Sequence, residues 1–450
     1  MTRSGRSITD GTTISIRVGI APPGGTNMAD LRQDRIREQL AQENWDAIVL
    51  TNTHDVVYAT GYSSIMEYWT LQEPICAAIV ARDPSIPVIL VMPEANVGLL
   101  AVSAASGEPD RAQELRLTEL LTFCVMARAK DPYAKATPLA DRAMEIFGTR
   151  VRGTTRNNVV EGITDALADH GLAGKRVAFD ELRVWNWVRQ DTRFNSYQPL
   201  DGVDAMVRAR SIKTPVELAA VRAGGPKADA AIAFAASRLQ PGVSWTDLTL
   251  SVAGYMASIG ITPVDEGSML FGGAFEGEFI PELFRTRHDQ SFSAGQIVIL
   301  ETLGKTGGFW IDINRTAVIG KPTDEYQALH DAVRDGYLEL MAQLKPGVGT
   351  GFLLEAGHDV MRRAGVSAPE KLLVLAHGIG MMPVEMPLNA PTMGTVGAAG
   401  FTLEENMVIS VDCLYFGSKI GPCHMENVFI VGKDGCEPVY RTPLELMGPR

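Results

Sequence analysis

The sequence predicts an α+β protein in which an α/β domain is followed by a second domain that is richer in strands. Short apolar runs alternate with helical patterns up to about residue 205, and this alternation is typical of an α/β domain. Behind it, a capped helix start introduces a region with more strand-like runs and a Gly-rich turn. We therefore predict an N-terminal arm over residues 1–28, a first domain over 29–205 and a second domain over 206–450.

The composition is that of an ordinary globular protein. Of 450 residues, 46% are hydrophobic and 21% are charged, which excludes a disordered chain. The net charge of -12 argues against nucleic acid or an anionic membrane surface as the main partner. Five cysteines without a CxxC pair, and an N-terminus without an apolar core, predict a reduced, cytoplasmic protein.

The first domain opens with a helix, because apolar residues recur at helical spacing between residues 31 and 42. The run at residues 45–51 (WDAIVLT) follows and has the apolar, β-branched character of a buried strand. The same reasoning predicts further strands at 76–81, 88–92 and 175–179, and helices at 138–146 and 157–170.

The second domain opens with a helix whose start is marked by three residues. Thr214 can cap the helix, Pro215 suits its first turn, and Glu217 lies three residues after the cap. This helix is predicted to extend to about residue 237. The remaining predicted elements are helices at 242–260, 324–344 and 351–364, and strands at 268–271, 296–300, 309–318, 407–415 and 425–431.

The most informative stretch is a predicted hairpin whose two apolar strands each carry one carboxylate. If Thr306 and Gly307 occupy the turn, Glu301 faces Asp312 across the hairpin, with Cβ atoms about 4.5–5.5 Å apart. Burying two unpaired carboxylates is costly, so the pair must share a proton or hold a cation. A register slip of one residue would move one carboxylate to the other face and remove the site.

The C-terminal strands repeat this arrangement and add an imidazole. Asp412 and Glu426 are acidic residues inside apolar strands, and His377 ends an apolar run between glycines. Together with the hairpin pair, these residues form a mixed oxygen and nitrogen set that suits Mn, Fe, Co or Zn. Each residue alone is more typical of a salt bridge or a core position, and spacing alone leaves the two interpretations open.

Five segments resemble, in order and spacing, those of the pita-bread (M24) family, which includes methionine aminopeptidase, aminopeptidase P, prolidase and creatinase. The resemblance covers roughly residues 30–450. It implies a creatinase-like N-terminal domain, a C-terminal pita-bread catalytic domain and a homodimer. It places metal ligands at Glu301, Asp312, His377, Asp412 and Glu426. The segments are 210–217 (RSIKTPVE), 312–316 (DINRT), 377–380 (HGIG), 403–408 (LEENMV) and 426–431 (ENVFIV).

The chain departs from the family pattern at several site positions. Glu301 stands where an Asp is usual and Asp412 where a Glu is usual, and each exchange changes the reach by one methylene. Val384 occupies the place of a substrate-side histidine of the peptidases, and His424 the place of an Arg. These departures leave the resemblance in fold intact but weaken the resemblance to the peptidases.

Three functions follow as hypotheses. The first is a hydrolase of a small amide, peptide or related C–N substrate that uses one or two divalent ions, with Glu301, His377 and Glu426 at the catalytic centre and Glu426 or Asp412 assisting the proton transfer. The second is a non-peptidase enzyme on a small zwitterion. It would act by creatinase-like or ectoine-hydrolase-like hydrolysis, with or without metal, or by an elimination like that of dimethylsulfoniopropionate lyase with Glu385 as base. The third is an inactive binding module.

Overall fold

A computed structural model of the chain describes residues 28–62, 74–94, 96, 118–123, 155–263, 269–275, 278–279, 291–389, 400–416 and 418–448. The α+β class is confirmed, because helices and two separate sheets make up the described residues. The predicted arm up to residue 27 and the helix predicted at 138–146 lie outside the described residues. Within the described part of the chain, no helix combines the length and the apolar character that crossing a membrane requires.

The first sheet belongs to the N-terminal part of the chain. Its strands are β1 (Ala47–Leu50), β2 (Ala77–Ala81), β3 (Val88–Pro93), β4 (Thr118–Phe123), β5 (Val177–Phe179) and β6 (Leu200–Asp201), in the order β4-β3-β2-β1-β5-β6. Strand β2 is antiparallel to both neighbours and the other pairs are parallel. The accompanying helices are α1 (Met28–Gln42), α2 (Thr53–Thr60), α3 (Val159–Asp169), α4 (Leu182–Val188) and α5 (Val203–Ser211).

Strands β1, β2, β3 and β5 are buried along their whole length. A strand covered on both faces reads as a continuous apolar run rather than as an alternating one. This is why residues 45–51 and 76–81 could be predicted as strands from their apolar content alone.

The second part of the chain starts at the predicted capping box. Thr214 Oγ1 accepts a hydrogen bond from the backbone N–H of Glu217, and the Glu217 carboxylate accepts one from the backbone N–H of Thr214 at 2.8 Å. The helices of this part are α6 (Pro215–Arg238), α7 (Trp245–Ser258), α8 (Asp324–Met341) and α9 (Leu353–Arg363), with short 3-10 helices at Thr350–Phe352 and Pro369–Lys371.

A larger, predominantly antiparallel sheet carries the residues of interest. Its strands are β7 (Met269–Phe275), β8 (Glu278–Phe279), β9 (Ile297–Thr306), β10 (Phe309–Val318), β11 (Leu372–Gly378), β12 (Glu385–Asn389), β13 (Val408–Tyr415), β14 (Cys423–Val431) and β15 (Cys436–Pro438). The order is β12-β11-β13-β14-β10-β9-β7-β8, and β15 pairs with β14. Apolar side chains of α6 and α7 pack against β9 and β10, and those of α8 and α9 against β11 and β13.

Buried ion pairs connect the two parts of the chain. Arg32 Nε in α1 lies 3.0 Å from Glu217 Oε1 at the start of α6, and both side chains are buried. Arg210 in α5 pairs with Asp55 in α2 and also lies 3.8 Å, measured from Nε, from Glu385 Oε1 at the start of β12. The predicted division at about residue 205 falls inside α5 and stays a prediction.

Candidate metal centre

Four polar side chains form a row across the larger sheet. In the strand register, Glu301 of β9 lies opposite Asn314 of β10, Asn314 lies opposite Glu426 of β14, and Glu426 lies opposite Asp412 of β13. Residues opposed in this way point to the same face of a sheet, with Cβ atoms about 4.5–5.5 Å apart. The sheet therefore gathers three carboxylates and one amide from four adjacent strands.

The predicted pairing of Glu301 with Asp312 is wrong, because the turn lies one residue further along the chain. Thr306 pairs with Phe309, and the turn consists of Gly307 and Gly308. Both glycines have positive φ values, 60° and 85°, as a tight hairpin turn with left-handed central residues requires. Asp312 is therefore opposite Leu303 rather than Glu301.

Asp312 nevertheless remains on the same face as the row, because it is two residues before Asn314. His377 of β11 also joins this face, since it lies opposite Ser410, two residues before Asp412. The ring Nε2 of His377 is 3.4 Å from Asp412 Oδ2 and 3.9 Å from Glu426 Oε1. The five residues predicted as metal ligands thus project from one face of the sheet.

Three of the carboxylates are disfavoured as anions. Burial raises the pKa of Glu301 to about 7. Burial, and then the charges of neighbouring carboxylates, hold the pKa of Asp312 and of Glu426 well above their usual values. Like charges buried together raise each other's pKa unless a cation compensates them. Buried carboxylates crowded together in this way are typical of a cation-binding site.

Asp412 behaves differently because two imidazoles face it. Burial by itself would raise the pKa of Asp412, but hydrogen bonds and charge from His377 and His424 outweigh burial and lower it. His377 Nδ1 is 2.9 Å from the carbonyl oxygen of Gly378. With Nδ1–H donating to this carbonyl, Nε2 is the ring atom directed toward the carboxylates, which is the usual orientation of a metal-binding histidine.

The donor set fits a divalent transition-metal ion. Ligand atoms about 2.1 Å from one ion lie about 3.0–3.4 Å apart, close to the 3.4 Å between His377 and Asp412. The ligand atoms of Asp312, His377 and Glu426 all lie within 4.8 Å of one another. Asp312 Oδ1 and Asn314 Oδ1 are buried and have no hydrogen-bond partner among the described residues. Buried oxygens of this kind are normally satisfied by a group such as an ion or a water.

Residues 219–433 match the model of metallopeptidase family M24. This part of the chain is an M24 domain. It contains all five predicted ligands, and the resemblance stated from the sequence is confirmed.

Relatives of the M24 domain and of the whole chain carry hydrolase and peptidase names. An uncharacterized hydrolase/peptidase of Sinorhizobium fredii is 22% identical over 429 residues, which cover 92% of this chain and 95% of that protein. A probable dipeptidase PepE of Mycobacterium bovis is 26% identical over 251 residues, covering 55% of this chain and 64% of that protein. The crystal structure of the prolidase from Pyrococcus horikoshii superimposes with a TM-score of 0.67 at 16% identity, over 92% of this chain and 99% of the prolidase. The similarity in fold to this prolidase therefore extends beyond the M24 domain to most of the chain.

Glu385, predicted from the sequence as a catalytic base, belongs to a different group of charges. Its Oε1 accepts hydrogen bonds from the backbone N–H groups of Met381 and Met382, at 3.0 and 3.2 Å. Its Oε2 lies 3.3 Å from Lys213 Nζ, and Arg210 Nε is 3.8 Å from Oε1. Burial would raise the pKa of Glu385, but these cations outweigh burial and lower it. These contacts favour a structural role, in which the Glu385 carboxylate joins the backbone at 381–382 to the two cations. The catalytic role of Glu385 stays a prediction.

Two polar residues of the M24 site were not among the predicted ligands or catalytic residues. Ser410 Oγ donates a hydrogen bond of 2.5 Å to Glu426 Oε1. His424 Nε2 lies 3.0 Å from Asp412 Oδ1. The available signal was the alternation along β13 and β14, where Ser410 precedes Asp412, and His424 precedes Glu426, by two residues on the same face.

Proposed function

We propose that this protein is a metal-dependent hydrolase that cleaves an amide C–N bond in a short peptide or a small peptide-like substrate. One observation carries the proposal: the M24 domain collects Glu301, Asp312, His377, Asp412 and Glu426 on one buried face of its sheet. The hydrolase, dipeptidase and prolidase names of the relatives support the same class of reaction.

The protein groups have distinct tasks in such a reaction. A divalent cation held by these ligands would supply a Lewis acid and a nucleophilic water at neutral pH. Glu426, whose pKa burial holds above its usual value, would accept a proton from the attacking water and return it to the leaving nitrogen. Ser410 keeps the Glu426 carboxylate oriented by its hydrogen bond. As the C–O bond forms and the C–N bond breaks, the proton therefore ends on the released amine.

A second candidate is a non-peptidase enzyme of the same fold that acts on a small zwitterion. Val384 stands where the resemblance places a substrate-side histidine, and it is 53% exposed. An apolar side chain at that place cannot hydrogen-bond a peptide carbonyl or transfer a proton. This observation favours a substrate smaller than a dipeptide or a different way of binding it.

The test combines metal content with turnover. We expect about one or two transition-metal ions per native chain and at least one fewer in Asp312→Asn, which keeps the side-chain shape but weakens the ligand. Asp359→Asn, at an exposed carboxylate of α9, is the matched control and should keep the metal. Turnover of Xaa-Pro and other dipeptides favours the first candidate, and turnover of small zwitterions alone favours the second. A metal-free native enzyme that is active would contradict the first candidate and leave only the metal-free form of the second, and an Asp312→Asn variant with full activity would contradict the role of Asp312 as a ligand.

The resemblance also leads us to propose a homodimer. Light scattering after size exclusion should give twice the chain mass of 48.6 kDa.

A further inference from the structure

His424 is a buried histidine whose environment differs from that of a packed core residue. Its side chain is 3% exposed, and it lies on β14 two residues before Glu426, on the same face. Nε2 is 3.0 Å from Asp412 Oδ1. Nδ1 is buried and has no hydrogen-bond partner among the described residues. A single contact to Asp412 therefore leaves the ring half satisfied, which is uncommon for a buried polar group.

The position of His424 mirrors that of His377. Asp412 presents Oδ2 to His377 at 3.4 Å and Oδ1 to His424 at 3.0 Å. One carboxylate thus lies between two imidazoles. Both separations match the distance of about 3.0–3.4 Å between two ligand atoms of one transition-metal ion.

The carboxylates around His424 complete a second group of possible ligands. The ligand atoms of Asp412, His424 and Glu426 all lie within 4.8 Å of one another, and all three residues are buried. This group shares Glu426 with the group formed by Asp312 and His377. A shared carboxylate is the arrangement that allows two ions to be held next to each other.

We propose that His424 is a metal ligand, in a second cation position formed with Asp412 and Glu426 beside the position formed by Asp312, His377 and Glu426. The inference rests on the proposed metal-dependent function and adds a sixth ligand to the five predicted from the sequence. A site with one imidazole and two carboxylates suits Mn, Fe, Co or Zn. In the competing role, His424 only donates a hydrogen bond to Asp412 and orients it.

Replacement of His424 by Gln separates the two roles. The side-chain amide of Gln can place an N–H donor near the former Nε2 and so keep a hydrogen bond to Asp412, while it removes the imidazole. If His424 is a ligand, His424→Gln should weaken binding of the second Co(II) ion at least about tenfold. If His424 only orients Asp412, both Co(II) ions should bind with native affinity.

A spectroscopic count of imidazole ligands gives a readout that does not depend on turnover. In the full-length protein loaded with Co(II), we expect hyperfine-shifted proton resonances from two ligated histidines. One set should disappear in His424→Gln and the other in His377→Gln. His330→Gln, at a buried histidine of α8, should retain both sets, which controls for a general disturbance of the fold.

The outcomes distinguish failure of this inference from failure of the proposed function. One set of shifted resonances, lost in His377→Gln and retained in His424→Gln, would refute ligation by His424 and leave the metal-dependent function intact. Failure of the native protein to bind Co(II) at all would overturn both.

Discussion

Asn314 Nδ2 donates a hydrogen bond of 2.8 Å to Glu301 Oε2, directly across the hairpin formed by β9 and β10. Asn314 is fully buried and lies between Glu301 and Glu426 in the strand register. Its amide therefore separates two carboxylates that would otherwise face each other across β10. The Glu301 side chain, with one methylene more than Asp, is held in place by this contact.

Asn314→Ala should weaken metal binding without abolishing it. Glu301 would lose the donor that fixes its rotamer, and loss of such a supporting contact typically costs about tenfold or more in metal affinity. Competition with a chelator would measure the change. The control is Asn389→Ala, which removes a comparably buried Asn on β12. The side-chain amide of Asn389 donates a hydrogen bond to the carbonyl oxygen of Thr350. An equal loss of affinity in both variants would refute a specific role for Asn314.

Glu385→Gln should retain the metal and lose stability. The substitution removes the charge that faces Lys213 and Arg210, and a buried cation left without its partner destabilises a protein by about 3–5 kcal/mol. Elemental analysis and urea unfolding of the same preparation would separate the two effects. Native stability together with complete loss of turnover would instead support the catalytic role that the sequence suggested.

Arg315→Met should be among the most destabilising changes in the M24 domain. The guanidinium is buried and donates to the carbonyl oxygens of Asn314 and Glu426, and also to those of Thr442 and Pro443. Methionine fills the space but leaves these acceptors unsatisfied, which we expect to cost about 3–5 kcal/mol. Urea titration would measure the loss.

The control for Arg315→Met is the same substitution at an exposed arginine that forms an ion pair on the surface. Arg222 pairs with Glu437, and both side chains are about half exposed. Arg222→Met should change the free energy of unfolding by less than about 1 kcal/mol. A similar loss in the two variants would show that burial of the Arg315 acceptors is not the cause.

His330 should make the folded state less stable at acidic pH. Burial lowers the pKa of His330 to about 4 from its ordinary value of 6.5. The unfolded chain therefore binds the proton first as pH falls through 6.5, and stability that is complete above this pH is lost toward pH 4. Between pH 7.5 and 4.5 this group alone should lower the free energy of unfolding by about 2–3 kcal/mol.

Comparison of the native protein with His330→Gln isolates this contribution, because all other titrating groups are common to both. The free energy of unfolding in urea should fall more steeply with acid in the native protein than in the variant. Parallel curves would mean that His330 keeps its ordinary pKa in the folded state.

The sequence predicted most of the longer elements that the structure describes, and it singled out the five residues that project from one face of the larger sheet. Apolar content predicted the strands around Glu301, Asp412 and Glu426, because these strands are buried and their acidic residues stand out. The hairpin register failed by one position in the turn, although the Gly307-Gly308 pair is itself a signal for a turn with two left-handed residues. Only the observed pairing of β9 with β10 decides between a turn at Thr306-Gly307 and a turn at Gly307-Gly308.

Other relationships were beyond the sequence because they join distant strands or helices. The contact of His424 with Asp412 depends on how β13 and β14 are aligned. The cationic partners of Glu385, Lys213 and Arg210, lie more than 170 residues earlier in the chain. The order of the strands in the larger sheet likewise brings together segments that are far apart in the sequence, so no local pattern predicts it.

The ion pairs between the two parts of the chain limit how this enzyme can be engineered. A fragment that begins at the capping box would leave Glu217 without Arg32, and one that begins at residue 206 would also leave Arg210 without Asp55. Such a fragment would carry uncompensated charge on a newly exposed surface and would be a poor minimal enzyme. A chimaera that replaces the N-terminal domain by that of a relative should therefore keep an Arg at position 32 and an Asp at position 55.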